Sequence, residues 1–412
     1  MSVLSALKEL VNLPLETRRS MGIEFTPKEI FHQPRVWMKN FEMLKKMEDE
    51  IRVFVEERIL KKGNARVILS GAGTSKFIGL SVEGLLRSKW RRIVETWGST
   101  EIITDWRLIF LGEFNTIMIS FSRSGNSPES IGAILLANRS LKEVNHIIVS
   151  CNRHGRLAQM ASGLENSLVL LCPDEANDRG LAMTSSFTTM TSTAQFLAYI
   201  REPEEYGGII RSLSEAAESL IMRYSALLRE VSELNFDRAF FLGSGSLYGC
   251  AVESSLKLQE LTAGRVICKS DSYMGLRHGP EVAVDDKSIL VFYVSNDPFT
   301  QRYELDLMRD LHNKRLGLVK IAVCNRSNEE ISRYVDHVIE LDPEGRLSIS
   351  DRCRPIVDVI VAQMLALFKS LSLGLKPDNP SEKGVITRVV RGVRIYDHEE
   401  FMRTGRFKPI IG

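Results

Sequence analysis

Along this chain, short and nearly uninterrupted apolar runs alternate with longer stretches in which apolar residues return every three or four positions. The runs are Arg66-Val-Ile-Leu-Ser-Gly-Ala-Gly73, Thr116-Ile-Met-Ile-Ser-Phe-Ser122, His146-Ile-Ile-Val-Ser-Cys151, Arg238-Ala-Phe-Phe-Leu-Gly-Ser-Gly245, Ser288-Ile-Leu-Val-Phe-Tyr-Val294 and Val319-Lys-Ile-Ala-Val-Cys324. Runs of this length, rich in β-branched and aromatic residues, are what strands covered on both faces of a parallel sheet require. Between them, Ser75–Arg87, Ser127–Arg139, Leu247–Ala263 and Phe299–Lys314 carry helical periodicity. Alternating β and α units predict an α/β chain with doubly wound, mostly parallel sheets. Tyr206–Leu234 reads as a long amphipathic helix, and Pro355–Leu373 as a further helix before a tail punctuated by glycine and proline.

The runs repeat. Arg66 to Arg238, Thr116 to Ser288 and Cys151 to Cys324 are separated by 172, 172 and 173 residues. A single offset held by three blocks predicts a duplicated domain. The expected organisation is an N-terminal helical segment (1–48), a first domain (49–205), a linking helix (206–234), a second domain (235–376) and a C-terminal tail (377–412).

Composition narrows the partners. The chain has 412 residues, 44% hydrophobic and 26% charged, with Lys+Arg 54 against Asp+Glu 52. A net charge of +2 creates no field that would recruit nucleic acid or an anionic membrane, so an anion must be captured locally. The run Lys89-Trp90-Arg91-Arg92 reads as a solvated helix end rather than a nucleic-acid patch. The six cysteines form no CxxC pair and read as reduced, buried thiols. No HExxH, GxSxG or GxxxxGK[ST] occurs, so the sequence calls for no metal and no cofactor. The N-terminus lacks a signal-peptide pattern and no window approaches 18 apolar residues, from which a cytoplasmic protein is expected.

Three places could carry chemistry. Ser122-Arg123-Ser124-Gly125-Asn126-Ser127-Pro128 stands between a predicted strand and a predicted helix, where free amides and hydroxyls suit an anion; the same residue types are also ordinary caps and turns. Gly71-Ala72-Gly73-Thr74-Ser75 opens the first helix after the first strand. Lys76 stands where a dinucleotide fingerprint needs its third glycine, so the two hydroxyl-bearing loops more simply share one phosphate. Glu260, late in a helix, and His278, in the turn Arg277-His278-Gly279-Pro280, could work as acid and base, or be a solvated carboxylate and a turn histidine.

In order along the chain, SGAGTS (Ser70–Ser75), SFSRSGNSPES (Ser120–Ser130), NDRGLAMTSSFT (Asn177–Thr188), ESSLKLQELTAG (Glu253–Gly264), LRHGPE (Leu276–Glu281) and DNPSEKGVITRVVRGVRIY (Asp378–Tyr396) resemble tandem sugar-isomerase (SIS) proteins, nearest the AgaS type. The resemblance implies two flavodoxin-like SIS domains and conversion of galactosamine 6-phosphate to tagatose 6-phosphate and ammonia. By imine cleavage it also implies a hydrolase as well as an isomerase. Simple tagatose-6-phosphate ketose/aldose isomerisation, glucosamine-6-phosphate deamination and a non-catalytic sugar-phosphate sensor are the alternatives. It further implies that Gly73, Thr74, Ser75, Ser122, Arg123, Ser124, Asn126 and Ser127 surround the phosphate, that Leu181 and Ala182 line the sugar, and that Glu260 is the base. His278 would open the sugar ring from a neighbouring subunit of a homodimer or homotetramer. Lys383 or Arg388 of the tail could enter the site. The second-half loop Ser295-Asn296-Asp297-Pro298 carries an acid and should repel phosphate, leaving one sugar phosphate per chain.

Overall fold

Burial on both faces fixes parallel pairing for the apolar runs. In the computed structural model, which describes residues 5–347, 349–381, 383–390 and 392–411, they form two five-stranded parallel sheets. The first contains β1 (Ala65–Gly71), β2 (Ile93–Gly98), β3 (Asn115–Ser122), β4 (Val144–Ser150) and β5 (Ser167–Leu171) in the order β2-β1-β3-β4-β5. The second contains β6 (Arg238–Leu242), β7 (Ile267–Asp271), β8 (Ser288–Tyr293), β9 (Val319–Cys324) and β10 (His337–Glu340), in the matching order β7-β6-β8-β9-β10. The repeat reaches individual torsions. Gly73 has φ 54° and ψ −127° ahead of the Thr74–Trp90 helix, and Gly245 has φ 56° and ψ −125° ahead of the Ser246–Leu261 helix. A positive φ at this turn is why both copies carry glycine there.

Among the described residues, five helices precede β1, from Ala6–Asn12 to Glu48–Val55, the last running into a π-helical turn at Glu56–Leu60. The long helix, Pro203–Glu233, joins the two sheets. One continuous apolar core runs through both halves, with Leu69, Ile119 and Val149 of the first sheet and Phe241, Val291 and Ile321 of the second in it. The helix Pro355–Ser372 lies within that core, buried from Pro355 to Ser370. Its length and composition would allow it to cross a bilayer, contrary to the expectation from apolar windows, but its surface is covered by protein. Just before it, Arg354 is fully buried, donating to Asp358 at 2.8 and 3.2 Å and to the carbonyls of Val294 and Val323. The six cysteines form no disulfide, and only Cys268 is incompletely buried.

Two features position the site. The tail returns to the first domain, where β11 (Ile395–Tyr396) and β12 (Pro409–Ile411) pair antiparallel and Ile395 packs on Gly132 of the Pro128–Ser140 helix. The Thr74–Trp90 and Ser246–Leu261 helices, one from each half, cross so closely that a Cβ at Gly249 would stand 2.5 Å from the Ser81 amide nitrogen. An alanine in a helix gains about 0.5–1 kcal/mol over glycine, but overpacking against backbone costs about 1–3 kcal/mol. Gly249→Ala should therefore lower stability in urea unfolding; a neutral or stabilising result would mean the two helices can part freely.

Candidate functional site

The loops after β1 and β3 meet at the carboxyl end of the first sheet, the usual position for ligands in open α/β sheets. The β3 loop is drawn tight by its own side chains: Gly125 N–H donates to Ser122 Oγ at 3.0 Å and Asn126 N–H to Ser124 Oγ at 3.2 Å. Gly125, at φ 65°, lies against Gly155, where an added Cβ would come within 2.9 Å of the Gly155 Cα. The Asn126 side-chain Oδ1 accepts from the Arg156 amide at 3.1 Å, and the Ser127 hydroxyl donates to Glu129 at 2.6 Å. Ser122 and Ser124 are thus acceptors in the loop with their own hydroxyl protons free to donate. Among the described residues, the Arg123 and Ser124 amides and the buried Ser75 hydroxyl make no hydrogen bond within the chain. With the Ser122 and Ser124 hydroxyls, they are among the donors left for an anion.

Arg123 does other work. Its buried guanidinium donates to the carbonyls of Gly180 (3.3 Å), Leu181 (3.0 Å) and Arg388 (2.7 Å), tying the β3 loop to the Asn177–Ala182 segment and the tail. Burial lowers its pKa; Asp178 and Glu260 nearby counter that. Arg388 in turn donates to the Asp178 carbonyl at 2.8 Å and to the Asn177 side chain at 2.7 Å, whereas Lys383 is exposed. Both backbone groups of Leu181 are occupied, its N–H by the Asp378 carbonyl and its C=O by Arg123. The buried Asp178 carboxylate accepts from the amides of Thr184, Ser185 and Ser186, capping the Ser185–Ala198 helix and fixing the segment from behind.

Glu260 reaches this place from the second half. Its carboxylate accepts from Lys257 at 2.6 Å, and the fully buried Lys257 ammonium also donates to Thr74 Oγ1 at 3.0 Å and lies 3.3 Å from Glu253. The Thr74 hydroxyl donates to Glu253 at 3.3 Å, which links the first loop to the carboxyl groups of the second half. Burial, countered by Lys257, pushes the Glu253 carboxyl up to about 8, while burial of Lys257 is outweighed by Glu253, when it is ionised, and by Glu260, which raise its pKa. Glu253, Lys257 and the part-exposed Glu260 thus form one cluster, joined to the first loop through Thr74. Lys257 and Glu253 were not among the expected site residues. Their signal is the spacing Glu253, Lys257, Glu260 along one helical face, which on sequence alone is also that of a solvated helix.

His278 is not brought to Glu260. It is exposed on the turn after the short Tyr273–Leu276 helix, its N–H donating to the Gly275 carbonyl. In the second half, the positions equivalent to the free amides are filled by the chain's own carboxylates. Ser295 N–H donates to Glu304 at 2.7 Å and Asn296 N–H to Asp351 at 2.9 Å, and the Ser244 hydroxyl also donates to Glu304 at 2.7 Å. Burial pushes Glu304 up to about 7.

Two such sheets with one open phosphate-type nest define a tandem SIS protein of the phosphosugar-processing class. No protein-family model matches the chain. It is 37% identical over 377 residues to a D-galactosamine-6-phosphate deaminase AgaS of Escherichia coli, covering 90% of this chain and 95% of that one. It is 32% identical over 389 residues to the Shewanella sp. (strain ANA-3) protein of the same name, covering 93% and 95%. The crystal structure of an E. coli tagatose-6-phosphate ketose/aldose isomerase superposes with TM-score 0.83 at 34% identity, covering 91% of this chain and 96% of that one. The chain belongs to the AgaS family. These relatives carry deaminase and isomerase names, which corrects the expectation of a hydrolase.

The raised Glu253 carboxyl has a stability consequence. Unfolded, a glutamate titrates near 4.3; folded, this one keeps its proton to about 8. Between those values the folded chain holds the extra proton, so its contribution falls as pH rises through the window and levels off above it. Glu253→Gln should flatten part of the loss of melting temperature between pH 5 and 8; a variant as steep as the parent would show that Glu253 is already ionised.

Proposed function

We propose that this protein converts galactosamine 6-phosphate to tagatose 6-phosphate and ammonia in the cytoplasm, as a homo-oligomer that needs neither metal nor cofactor. The observation that supports this most directly is the Glu260 carboxylate, carried in from the other half of the chain and held by Lys257 beside the loops that would grip a phosphate. Phosphate held by Ser75, Ser122 and Ser124 and the free amides at Arg123 and Ser124 supplies binding energy far from the reacting carbons, and that energy places C1 and C2 against Glu260. Ser127 and the Asn126 amide stand at the loop's outer edge, and the Ala182 backbone is the part of its segment left for the sugar.

His278 of a second copy transfers a proton to the ring oxygen and opens the sugar; its exposure within one chain suits that role. Glu260 removes the C2 proton of the aminoaldehyde, giving an enediol-type amine, and C1 is then reprotonated. Water adds to the resulting C2 imine and ammonia leaves, so that one water is consumed and one ammonia released. Lys257 keeps Glu260 oriented, and a carboxylate so placed is worth roughly 10²–10⁴ in rate. Plain ketose/aldose isomerisation is the second reading, favoured by the description of the E. coli crystal structure; it would use the same two groups and release no ammonia.

Ammonia release from 6-phosphorylated hexosamines, scored beside ketose formation, decides between the two. Glu260→Gln should cut kcat by roughly 10²–10⁴ while sparing ligand affinity, and retained turnover would remove Glu260 from the mechanism. Glu260→Gln and His278→Asn chains, each inactive alone, should regain about one quarter of wild-type activity after mixing and exchange, since half of the sites in mixed dimers are intact. Absence of any recovery would place His278 outside the neighbouring site.

A further inference from the structure

A cavity of about 510 Å³ lies between the N-terminal helices and the Asp174–Arg179 stretch, on the side of the Asn177–Ala182 segment away from Arg123. Its charge balance is uneven. Two of the carboxylates lining it are paired from elsewhere, Glu24 with Arg19 at 3.0 Å and Glu175 with Lys39 at 2.7 Å, and Asp174, exposed, lies 3.7 Å from Arg153; none of these cations lines the cavity. Glu29 is buried, accepts from the Arg179 amide at 2.5 Å and is pushed up to about 8 chiefly by burial. Lys28, Arg35 and Arg179 line the same cavity, and among the described residues none has a carboxylate within 4.0 Å. Beneath them the His32 ring presents a buried Nε2 with no hydrogen-bond partner, and burial, which lowers its pKa to about 4, keeps the ring neutral.

We propose that this cavity is a second anion site, for a small phosphomonoester, distinct from the loops that would hold the sugar phosphate. Two arginine forks and a lysine match the charge and the several acceptor oxygens of a phosphoryl group better than a single carboxylate does. The volume exceeds what a phosphoryl group alone fills, leaving room for a sugar or other small body beside His32. Occupancy would bear on the first site, because the two lie on opposite faces of one short segment. The Gly180 amide faces Glu29 while the Gly180 and Leu181 carbonyls hold Arg123. An anion that fixes Arg179 therefore fixes the backbone against which Arg123 sets the β3 loop, and coupling of this kind is reciprocal.

Calorimetric titration of the full-length protein with glucose 6-phosphate should reveal two classes of site per chain. Lys28→Glu combined with Arg35→Glu, both exposed and outside the first site, should weaken one class at least about tenfold and leave the other. Ser75→Ala with Ser122→Ala should do the converse. Inorganic phosphate should compete at the class lost on charge reversal. A single class in the wild type that survives the charge reversal, two classes both unmoved by it, or failure of phosphate to compete would each overturn the proposal. If instead the first site fails to bind sugar phosphate, one class remains and the charge reversal abolishes it, so the two readings fail separately.

Discussion

The structure depends on a buried cation shared across two halves of a duplicated chain. Lys257 is wholly enclosed, and a lysine in that position is tolerable only where carboxylates and hydroxyls replace its water. Glu253 and Glu260 come from its own helix, but Thr74 comes from the other half. That contact exists because Gly249 lets the two helices meet backbone to backbone. A small residue at one crossing thus decides whether the acid machinery of the second half sits at the anion loops of the first. Neither half holds the site alone: the first supplies the free amides and hydroxyls, the second supplies the carboxylate.

Charge burial also explains why so few groups remain available. Of the residues around the loops, Thr74 is spent on Glu253 and Lys257, and Arg123, Asp178 and Arg388 chiefly on backbone groups. Removing one partner from such a set leaves a buried charge exposed to a low-dielectric interior, which costs several kcal/mol, so the network resists rearrangement and holds its geometry before any ligand arrives. Preorganisation of this kind is what an acid–base reaction on a small sugar needs, since little energy is left for reorganisation in the transition state.

Much of this was legible in the sequence because backbone requirements leave marks. The glycines at 73 and 245 answer the same positive-φ turn, and the strands buried on both faces read as apolar runs, so the repeat, six of the ten sheet strands and the principal helices could be placed to within a few residues. The strands β2, β5, β7 and β10 escaped notice because sheet-edge positions are partly solvated: Ile93 and Ile267 are exposed and their runs carry polar residues. Lys257 escaped for a different reason. Its spacing to two glutamates is what any surface helix shows, and only the tertiary crossing turns that face inward. Arg123 and Thr74 sit in the motifs that suggested phosphate contact, and sequence alone does not show that within the chain the first donates to backbone carbonyls and the second to Glu253.

The two sheets also show how one copy of a duplicated loop is left open and the other is closed from within the chain. Both copies keep the glycine turn and a helix beginning at the carboxyl end of the sheet, and therefore both generate unpaired amides with a partial positive charge. In the first copy those amides are left open. In the second, Glu304 and Asp351 occupy them from within the chain, at distances of 2.7 to 2.9 Å. An internal carboxylate loses little entropy on docking, whereas a free phosphate must give up its translational freedom. The tethered acid consequently wins at any ordinary ligand concentration. The acids thus satisfy in the second copy the same donors that the first copy leaves open.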